Sequence, residues 1–218
     1  MNRTPPITQP MVLLGAGGHA KVALSLARAA GRSILGVCDP DLARLGQAEW
    51  RGLRVLGSDD ALVGFDIAQV ALLNGIGQTS ALAGNRRRLF DELRQRGFRF
   101  PALAHPSATI DPSALLGEGA QVMAGAVVQA DCRIGPNTIV NTRASVDHDG
   151  EVGAHVHVAP GAVLCGCVRV DDGAFIGAGA TVVQGLRVGS GSFVAAGSLV
   201  TRDLKAGHRW PARAAYQE

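Results

Sequence analysis

Residues 134–158 read I-G-P-N-T-I-V-N-T-R-A-S-V-D-H-D-G-E-V-G-A-H-V-H-V, and every sixth residue of this stretch is a branched aliphatic one. The same period runs without a slip from Ile110 to Val200, over sixteen positions that are all Ile, Leu or Val. Small residues dominate four places after each of them. An α-helix has no six-residue period, and strand alternation would not single out every sixth residue. The period therefore predicts one flat side of a parallel β-helix.

In such a helix the aliphatic residue points inward and stacks on its equivalent one coil away. The small residue allows the chain to turn the corner, and glycines there relieve backbone strain. The pattern is similar to that of the hexapeptide-repeat family, whose β-helix is left-handed with three hexapeptides per coil. This predicts about five coils that each rise roughly 4.8 Å.

The first hundred residues follow a different pattern, typical of a Rossmann-like α/β domain. A strand at Val12–Leu14 leads into the turn Gly15-Ala16-Gly17-Gly18-His19-Ala20, then a helix that ends near Gly31, then a strand at Ile34–Cys38 that ends at Asp39. This G-x-G-x-x-A turn with a following acid is typical of a unit that binds phosphates at a helix N-terminus. Further elements are predicted at Ile67–Leu73 (strand), Arg86–Arg96 (helix) and Phe98–Leu103 (strand). The predicted domains are therefore 1–104, Rossmann-like, and 105–218, a left-handed β-helix with a short C-terminal tail.

An NAD-dependent dehydrogenase is not the preferred interpretation of the glycine turn. Only about half of a dinucleotide-binding fold precedes the repeats, and half a fold suits a mononucleotide better. The alternative that the glycines serve only a tight turn stays open.

Composition excludes several other classes of protein. The net charge of +3 and the 4% aromatic content do not suggest a nucleic-acid partner. The run Arg86-Arg87-Arg88 is expected on a solvated helix face. Cys165 and Cys167 lack zinc-knuckle spacing and are expected to be small buried side chains. Because no long apolar segment or signal peptide is evident, we expect no membrane insertion and a cytoplasmic protein.

Three features together resemble the bacterial nucleotide-aminosugar N-acetyltransferases, which include sialic acid O-acetyltransferase-like proteins. They are the opening G-A-G-G-H, the junction L-A-H-P-S-A-T-I from Leu103 to Ile110, and the hexapeptide domain. The resemblance covers nearly the whole chain, and its perosamine branch is the nearest in pattern. It implies an enzyme that uses acetyl-CoA as co-substrate, needs no metal and forms a homotrimer whose active sites lie between neighbouring β-helices.

The resemblance also implies the roles of individual residues. The motif N-T-x-A-x-V-x-H-D, present from Asn141 to Asp149, makes His148 the catalytic base, with Asn141 on the substrate side. His157 and the backbone of Gly166 would contact acetyl-CoA. The expected contacts to the nucleotide sugar are Gly17, Gly18, His19, Asp39, Pro40 and Gly77. No role follows for His155.

Histidine suits this task chemically. An amine that attacks a thioester must lose a proton as the bond forms, and imidazole titrates near neutral pH. A neighbouring carboxylate would fix its tautomer, as in a catalytic triad. Asp147 and Asp149 both flank His148, but residues adjacent on a strand point to opposite sides, so alternation does not decide which of them serves. We expect Asp149, because the acid follows the base in the family.

The predicted reaction is acetylation of the 4-amino group of a GDP- or UDP-linked aminodideoxysugar in surface-glycan assembly. O-acetylation of a sialic acid is the alternative within the family. A zinc lyase of the carbonic-anhydrase type is the alternative from another class, because His148, His155 and His157 are clustered in sequence. A β-helix scaffold without acetyl-CoA binding is a third hypothesis.

Overall fold

The computed structural model of the chain describes residues 9–78 and 83–211. Its internal contacts divide the chain into two compact units, and the division falls between Pro101 and Ala102. Within the described ranges, no helix has both the length and the apolar character needed to cross a membrane.

A five-stranded sheet forms the centre of the first unit. Its strands are Met11–Leu14 (β1), Ile34–Cys38 (β2), Glu49–Trp50 (β3), Leu53–Gly57 (β4) and Ala71–Asn74 (β5). They lie in the order β3-β4-β2-β1-β5, and the neighbours are parallel except for β3 and β4. All four residues of β1 are buried, as expected for a central strand of a largely parallel sheet.

Helices follow the strands β1, β2 and β5 of this sheet. They are Gly18–Ala29 (α1), Pro40–Arg44 (α2) and Ala83–Gln95 (α3), with a 3₁₀ helix at Asp59–Gly64. One face of α1 is buried, because its apolar residues recur every three or four positions. Gly31 follows the last turn of α1 with a φ of 68°, a left-handed conformation that suits glycine.

Several predicted elements of the first unit are confirmed, and others are corrected. The strand Ile34–Cys38 is found with the predicted bounds. The strand expected from Ile67 begins only at Ala71, because Asp66 caps a turn whose N–H donor is Ala68. The prediction of a strand at Phe98–Leu103 is wrong. Within it, Arg99 makes an isolated bridge to Ala71, whereas Leu103 pairs with the second unit's strands.

The second unit is built from three parallel sheets of two-residue strands, and consecutive strands of the chain go to different sheets. Strand partners such as Ser145 and Val163 lie one coil, or three hexapeptides, apart. The histidine sheet contains Leu103–Ala104, Gln121–Val122, Ile139–Val140, His157–Val158, Phe175–Ile176, Phe193–Val194 and Arg209–Trp210. The serine sheet contains Thr109–Ile110, Val127–Val128, Ser145–Val146, Val163–Leu164, Thr181–Val182 and Leu199–Val200. The arginine sheet contains Leu115–Leu116, Arg133–Ile134, Glu151–Val152, Arg169–Val170 and Arg187–Val188. The predicted α/β domain followed by a left-handed β-helix is thereby confirmed.

The sixteen aliphatic positions line the inside of the β-helix. Ile110 and Leu116, in the first coil, are partly buried, and the positions from Val122 to Val200 are buried. Stacking of equivalent residues makes one continuous apolar core along the axis.

The turn chemistry differs from the prediction in one detail. The small residues, such as Ala144 and Ala162, do not make the turn but lie buried in the core with the aliphatic ones. The turn is made one residue earlier, by a residue with positive φ. These residues are Gly119, Gly125, Asp131, Asn137, Arg143, Asp149, His155, Gly161, Cys167, Gly173, Gly179, Gly185, Gly191 and Gly197. This register places Asp149, His155 and Cys167 at left-handed turn positions.

Candidate active site

The glycine turn of the first unit connects β1 to α1 and leaves open space at its tip. Gly15 has a φ of 85°, and its N–H donates to the carbonyl of Cys38 at 2.7 Å. Gly17 and Gly18 are exposed, and a Cβ at either position would meet no atom within 4 Å. Since α1 begins at Gly18, its first backbone N–H groups lie at this open tip. Such a helix start is suited to bind phosphate.

Asp39 ties the glycine turn to the end of β2. One carboxylate oxygen accepts a hydrogen bond from the Ala16 N–H at 2.8 Å. The other accepts from the N–H groups of Asp41 and Leu42 at 3.0 and 2.9 Å and so caps α2. Pro40 occupies the first turn of α2, where its missing N–H costs nothing. Asp39 therefore organises the turn, and contacts of Asp39 and Pro40 with a nucleotide stay predictions.

Gly77 lies beside His19, although the two residues belong to segments that are far apart in the sequence. A Cβ on Gly77 would come within 3.1 Å of the His19 Cβ. The two residues follow β5 and β1, which are neighbours in the sheet although far apart in sequence. The strand order reverses between β1 and β5, and ligands of open α/β sheets bind at the carboxyl ends of strands at such a switch point. Gly17, Gly18, His19 and Gly77 are thus brought together.

The prediction of a solvated helix face is wrong for Arg86. Arg87 and Arg88 lie on the solvated face as predicted and pair with Asp91 and Glu92. Arg86 is instead 1% exposed, and burial lowers its pKa to about 9. The spacing of residues could have predicted this burial, because Arg86 continues the buried stripe of α3 formed by Leu89, Phe90 and Leu93.

His148 and Asp149 form a hydrogen-bonded pair on an exposed turn of the β-helix. Nδ1 of His148 lies 2.8 Å from a carboxylate oxygen of Asp149. Asp147 instead accepts a hydrogen bond from the backbone N–H of His148, also at 2.8 Å. The bond to Asp149 raises the pKa of His148 above its ordinary value and outweighs the opposing loss of hydration. Both acids lie beyond the strand Ser145–Val146, so strand alternation does not govern them.

Gly166 lies directly against the imidazole, one coil further along. A Cβ at Gly166 would come within 2.5 Å of His148 Nε2, so any larger residue would displace the ring. Nδ1 therefore faces Asp149 while Nε2 lies over a bare stretch of backbone. With the proton of the neutral imidazole on Nδ1, this geometry leaves Nε2 to accept a proton.

The three histidines have different surroundings. His157 is 8% exposed, its Nε2 lies 3.1 Å from the Asn141 amide nitrogen, and its ring contacts Phe175 edge-on. His155 occupies a turn, with its Nδ1 3.0 Å from the Asn137 amide nitrogen. The three side chains do not converge on one point within the described part of this chain.

A metal ion could be held by a different set of residues. His148, Asp149 and Cys167 present ligand atoms that all lie within 4.8 Å of one another. Cys167 is exposed and Cys165 is half-buried, so the expectation that both are buried is wrong. The reason is the turn register, because Cys167 occupies the same left-handed position as Asp149 one coil earlier.

Comparison with known proteins finds a family model and a curated relative that each match part of the chain. The PglD N-terminal domain matches residues 10–93. A GDP-perosamine N-acetyltransferase of Escherichia coli O157:H7 is 30% identical over 93 residues, which are 43% of this chain and 42% of that protein. The match thus spans less than half of this curated relative.

Solved structures match over almost the whole chain. The acetyltransferase domain of PglB from Neisseria gonorrhoeae, in complex with acetyl coenzyme A, is 36% identical with a TM-score of 0.86, over 93% of this chain and 95% of that one. A histidine-to-asparagine mutant of perosamine N-acetyltransferase from Caulobacter crescentus, in complex with CoA and GDP-perosamine, is 38% identical with a TM-score of 0.83, over 90% of each chain.

Proposed function

Since the chain belongs to the PglD-type family of nucleotide-sugar N-acetyltransferases, we propose that it transfers acetyl from acetyl-CoA to the 4-amino group of a nucleotide-linked aminodideoxysugar. The single observation that carries the proposal is the pair formed by His148 and Asp149 at 2.8 Å. Nε2 of His148 is the atom that would take up the proton of the attacking amine.

The proposed reaction assigns each group a step. The neutral amine attacks the thioester carbonyl, and the nitrogen becomes strongly acidic as the C–N bond forms. Nε2 of His148 takes that proton, while Asp149 holds the imidazole in position and favours the imidazolium. The thiolate of CoA then leaves, and the imidazolium returns the proton to it. Backbone N–H groups of the β-helix wall would stabilise the oxyanion.

The two ligands would be divided between the two units. In the proposal the nucleotide binds at the switch point of the first unit, through Gly17, Gly18, His19, Asp39, Pro40 and Gly77. Asn141 contacts the acceptor sugar, and His157 and Gly166 contact acetyl-CoA. Support comes from the relatives, which bind acetyl coenzyme A in one structure and CoA with GDP-perosamine in another.

GDP is the nucleotide we favour over UDP. The segment N-G-I-G-Q-T-S-A-L-A-G-N, residues 74–85, resembles the perosamine branch, although part of it lies outside the described residues. The names of the Escherichia and Caulobacter relatives agree with this choice. We further propose a cytoplasmic homotrimer that needs no metal and acts in surface-glycan assembly.

A thiol-release assay tests the proposal. Purified protein and acetyl-CoA are mixed with GDP- and UDP-linked 4-amino-4,6-dideoxyhexoses, and free CoA is recorded together with the product mass. We expect CoA release and a gain of one acetyl group, fastest with the GDP-linked sugar. Release with a sialic acid alone would favour O-acetylation, and no release with any acceptor would favour the scaffold hypothesis.

The zinc lyase hypothesis has less support. His148, His155 and His157 do not form one donor set within the described part of the chain. A lyase would also have no use for a nucleotide site at the switch point of the first unit. Measurement of CO₂ hydration by zinc-loaded protein would distinguish the two, because the acetyltransferase proposal predicts none above background.

A further inference from the structure

The guanidinium of Arg86 lies in the interior of the first unit, with 1% of the residue's surface exposed. Moving a cation into the interior is unfavourable unless its donors meet acceptors. Nη1 of Arg86 donates to the backbone carbonyls of Asn74 at 3.0 Å and Ile76 at 2.7 Å. The Asn74 carbonyl ends β5 and the Ile76 carbonyl lies in the loop that follows it, so the side chain joins α3 to the start of that loop.

Asn74 completes this contact from the opposite direction. Its buried amide donates to the carbonyl of Arg86 at 3.1 Å, and its side-chain oxygen accepts from the Ile76 N–H at 3.1 Å. On the other side of the loop, the Gly75 N–H donates to the carbonyl of Leu14 at 2.8 Å. The loop is therefore held between β1 and the first turn of α3.

Gly75 leaves no space for the loop to shift toward β1. A Cβ on Gly75 would come within 2.7 Å of the Leu14 carbonyl oxygen and 2.9 Å of the Ala20 Cβ. Gly77, two residues on, lies against His19. The position of Gly77 relative to the glycine turn thus depends on the Arg86 contacts.

We infer that Arg86 is a positioning residue for nucleotide binding, which fixes the loop 74–77 at the switch point and brings a positive charge to the site of a nucleoside diphosphate. This inference rests on the proposed function, because it takes a sugar nucleotide as the ligand. Leu89, Phe90 and Leu93 occupy the same stripe of α3, so an apolar residue would suit the packing at lower desolvation cost. A charge retained there stabilises an anionic ligand more effectively than it would in water.

Two substitutions separate the charge from the hydrogen bonds. Arg86→Lys keeps the charge, and Arg86→Gln keeps a donor for the loop carbonyls without the charge. Arg87→Gln is the matched control, because Arg87 is the next residue of α3 and is exposed. Binding of GDP, UDP and acetyl-CoA to the full chain is measured by calorimetry, with thermal unfolding of each variant alongside.

We expect Arg86→Gln to weaken GDP or UDP binding by about tenfold or more, because the positive charge near the anionic ligand is lost. Arg86→Lys should lose less, and acetyl-CoA binding and the Arg87→Gln variant should be unchanged. Folded Arg86→Gln that binds both nucleotides like the wild type would overturn this inference alone. Failure of the wild type to bind either nucleotide would overturn the proposed function with it.

Hydrogen exchange of the wild-type protein gives a second measurement, which decides the question if both variants unfold. Added GDP or UDP should slow amide exchange at residues 74–78 and in the first turn of α3. Nucleotide binding without protection at residues 74–78 would contradict the inference.

Discussion

The hydrogen-bonded pair of His148 and Asp149 depends on the backbone conformation of a single residue. Asp149 has a φ of 56°, a left-handed conformation that Asp tolerates better than most residues. Neighbouring side chains on a strand would point apart, but this turn lets the imidazole of His148 and the carboxylate of Asp149 meet at 2.8 Å. The choice of Asp149 over Asp147 could not be derived from strand alternation, since neither lies on a strand. The resemblance to the family supplied it.

Asp149→Asn tests the electrostatic part of the pair. The hydrogen bond to Asp149 raises the pKa of His148, so the base becomes protonated at a higher pH than a free imidazole would. The acidic limb of the kcat/KM profile should therefore move to lower pH in Asp149→Asn. Plateau activity should also fall, by less than the roughly 10²–10⁴-fold that removal of a general base costs.

The control for this experiment is Asp147→Asn, because the Asp147 carboxylate bonds to a backbone N–H rather than to the ring. Its acidic limb should move less than that of Asp149→Asn. A larger shift in Asp147→Asn would contradict this, because it would show that Asp147 rather than Asp149 raises the pKa of His148.

Substitution of the other two histidines tests whether His157 contacts acetyl-CoA while His155 serves only as a turn residue. His157→Ala removes a buried ring that contacts Asn141 and Phe175 and should raise KM for acetyl-CoA while the base still functions. His155→Ala should change turnover little. Steady-state kinetics with varied acetyl-CoA measures both effects, and equal loss of activity with release of bound zinc would favour a metal site.

At the scale of elements, the period of six was sufficient to predict the β-helix, because every coil repeats the same inward residue. The period did not distinguish the turn residue from the small residue beside it, since both are often glycine or alanine. In the first unit, the strand at Phe98–Leu103 was predicted from apolar residues, but Phe98 and Phe100 pack into the core. Apolar content alone does not separate a strand from a buried loop.

Gly17→Leu tests the glycine turn as an element. Gly17 has a φ of −74°, and a Cβ there would meet no atom within 4 Å, so the fold should accept the larger residue. The side chain would instead fill the open tip at the start of α1 and exclude phosphate. We expect nucleotide-sugar affinity to fall about tenfold or more, or at least about 1.4 kcal/mol of binding free energy.

Acetyl-CoA affinity is the internal control for Gly17→Leu, because its predicted contacts lie in the second unit. Unchanged acetyl-CoA affinity would support separate sites for the two ligands. A parallel loss of both affinities, with a lower unfolding temperature, would count against them.

At the scale of the whole molecule, the outward faces of the β-helix differ in charge. The serine sheet presents no charged side chain, and its outward Val163 and Leu199 are 37% and 39% exposed. The arginine sheet carries charges such as Arg133 and Glu151 at the equivalent positions. We expect the serine sheet to pack against a second copy in the predicted trimer, because burying the arginine sheet would desolvate more charge.

Light scattering tests this assembly. The wild type should have three times the 22.5 kDa mass of one chain. Val163→Glu should reduce it to one chain, and Arg133→Glu, on the arginine sheet, should not. A wild-type monomer at micromolar concentration would contradict a shared active site.

Our central claim is that His148 acts as the general base, and turnover of His148→Asn measures it most directly. Asparagine keeps a polar group of similar size and removes the proton acceptor, so acetyl-CoA and nucleotide-sugar binding should persist while kcat falls about 10²–10⁴-fold. Cys167→Ala is the matched control, because its thiol lies beside the imidazole and the mechanism does not use it. That variant should keep wild-type turnover. Near-normal turnover of His148→Asn, or loss of turnover in Cys167→Ala, would contradict the mechanism.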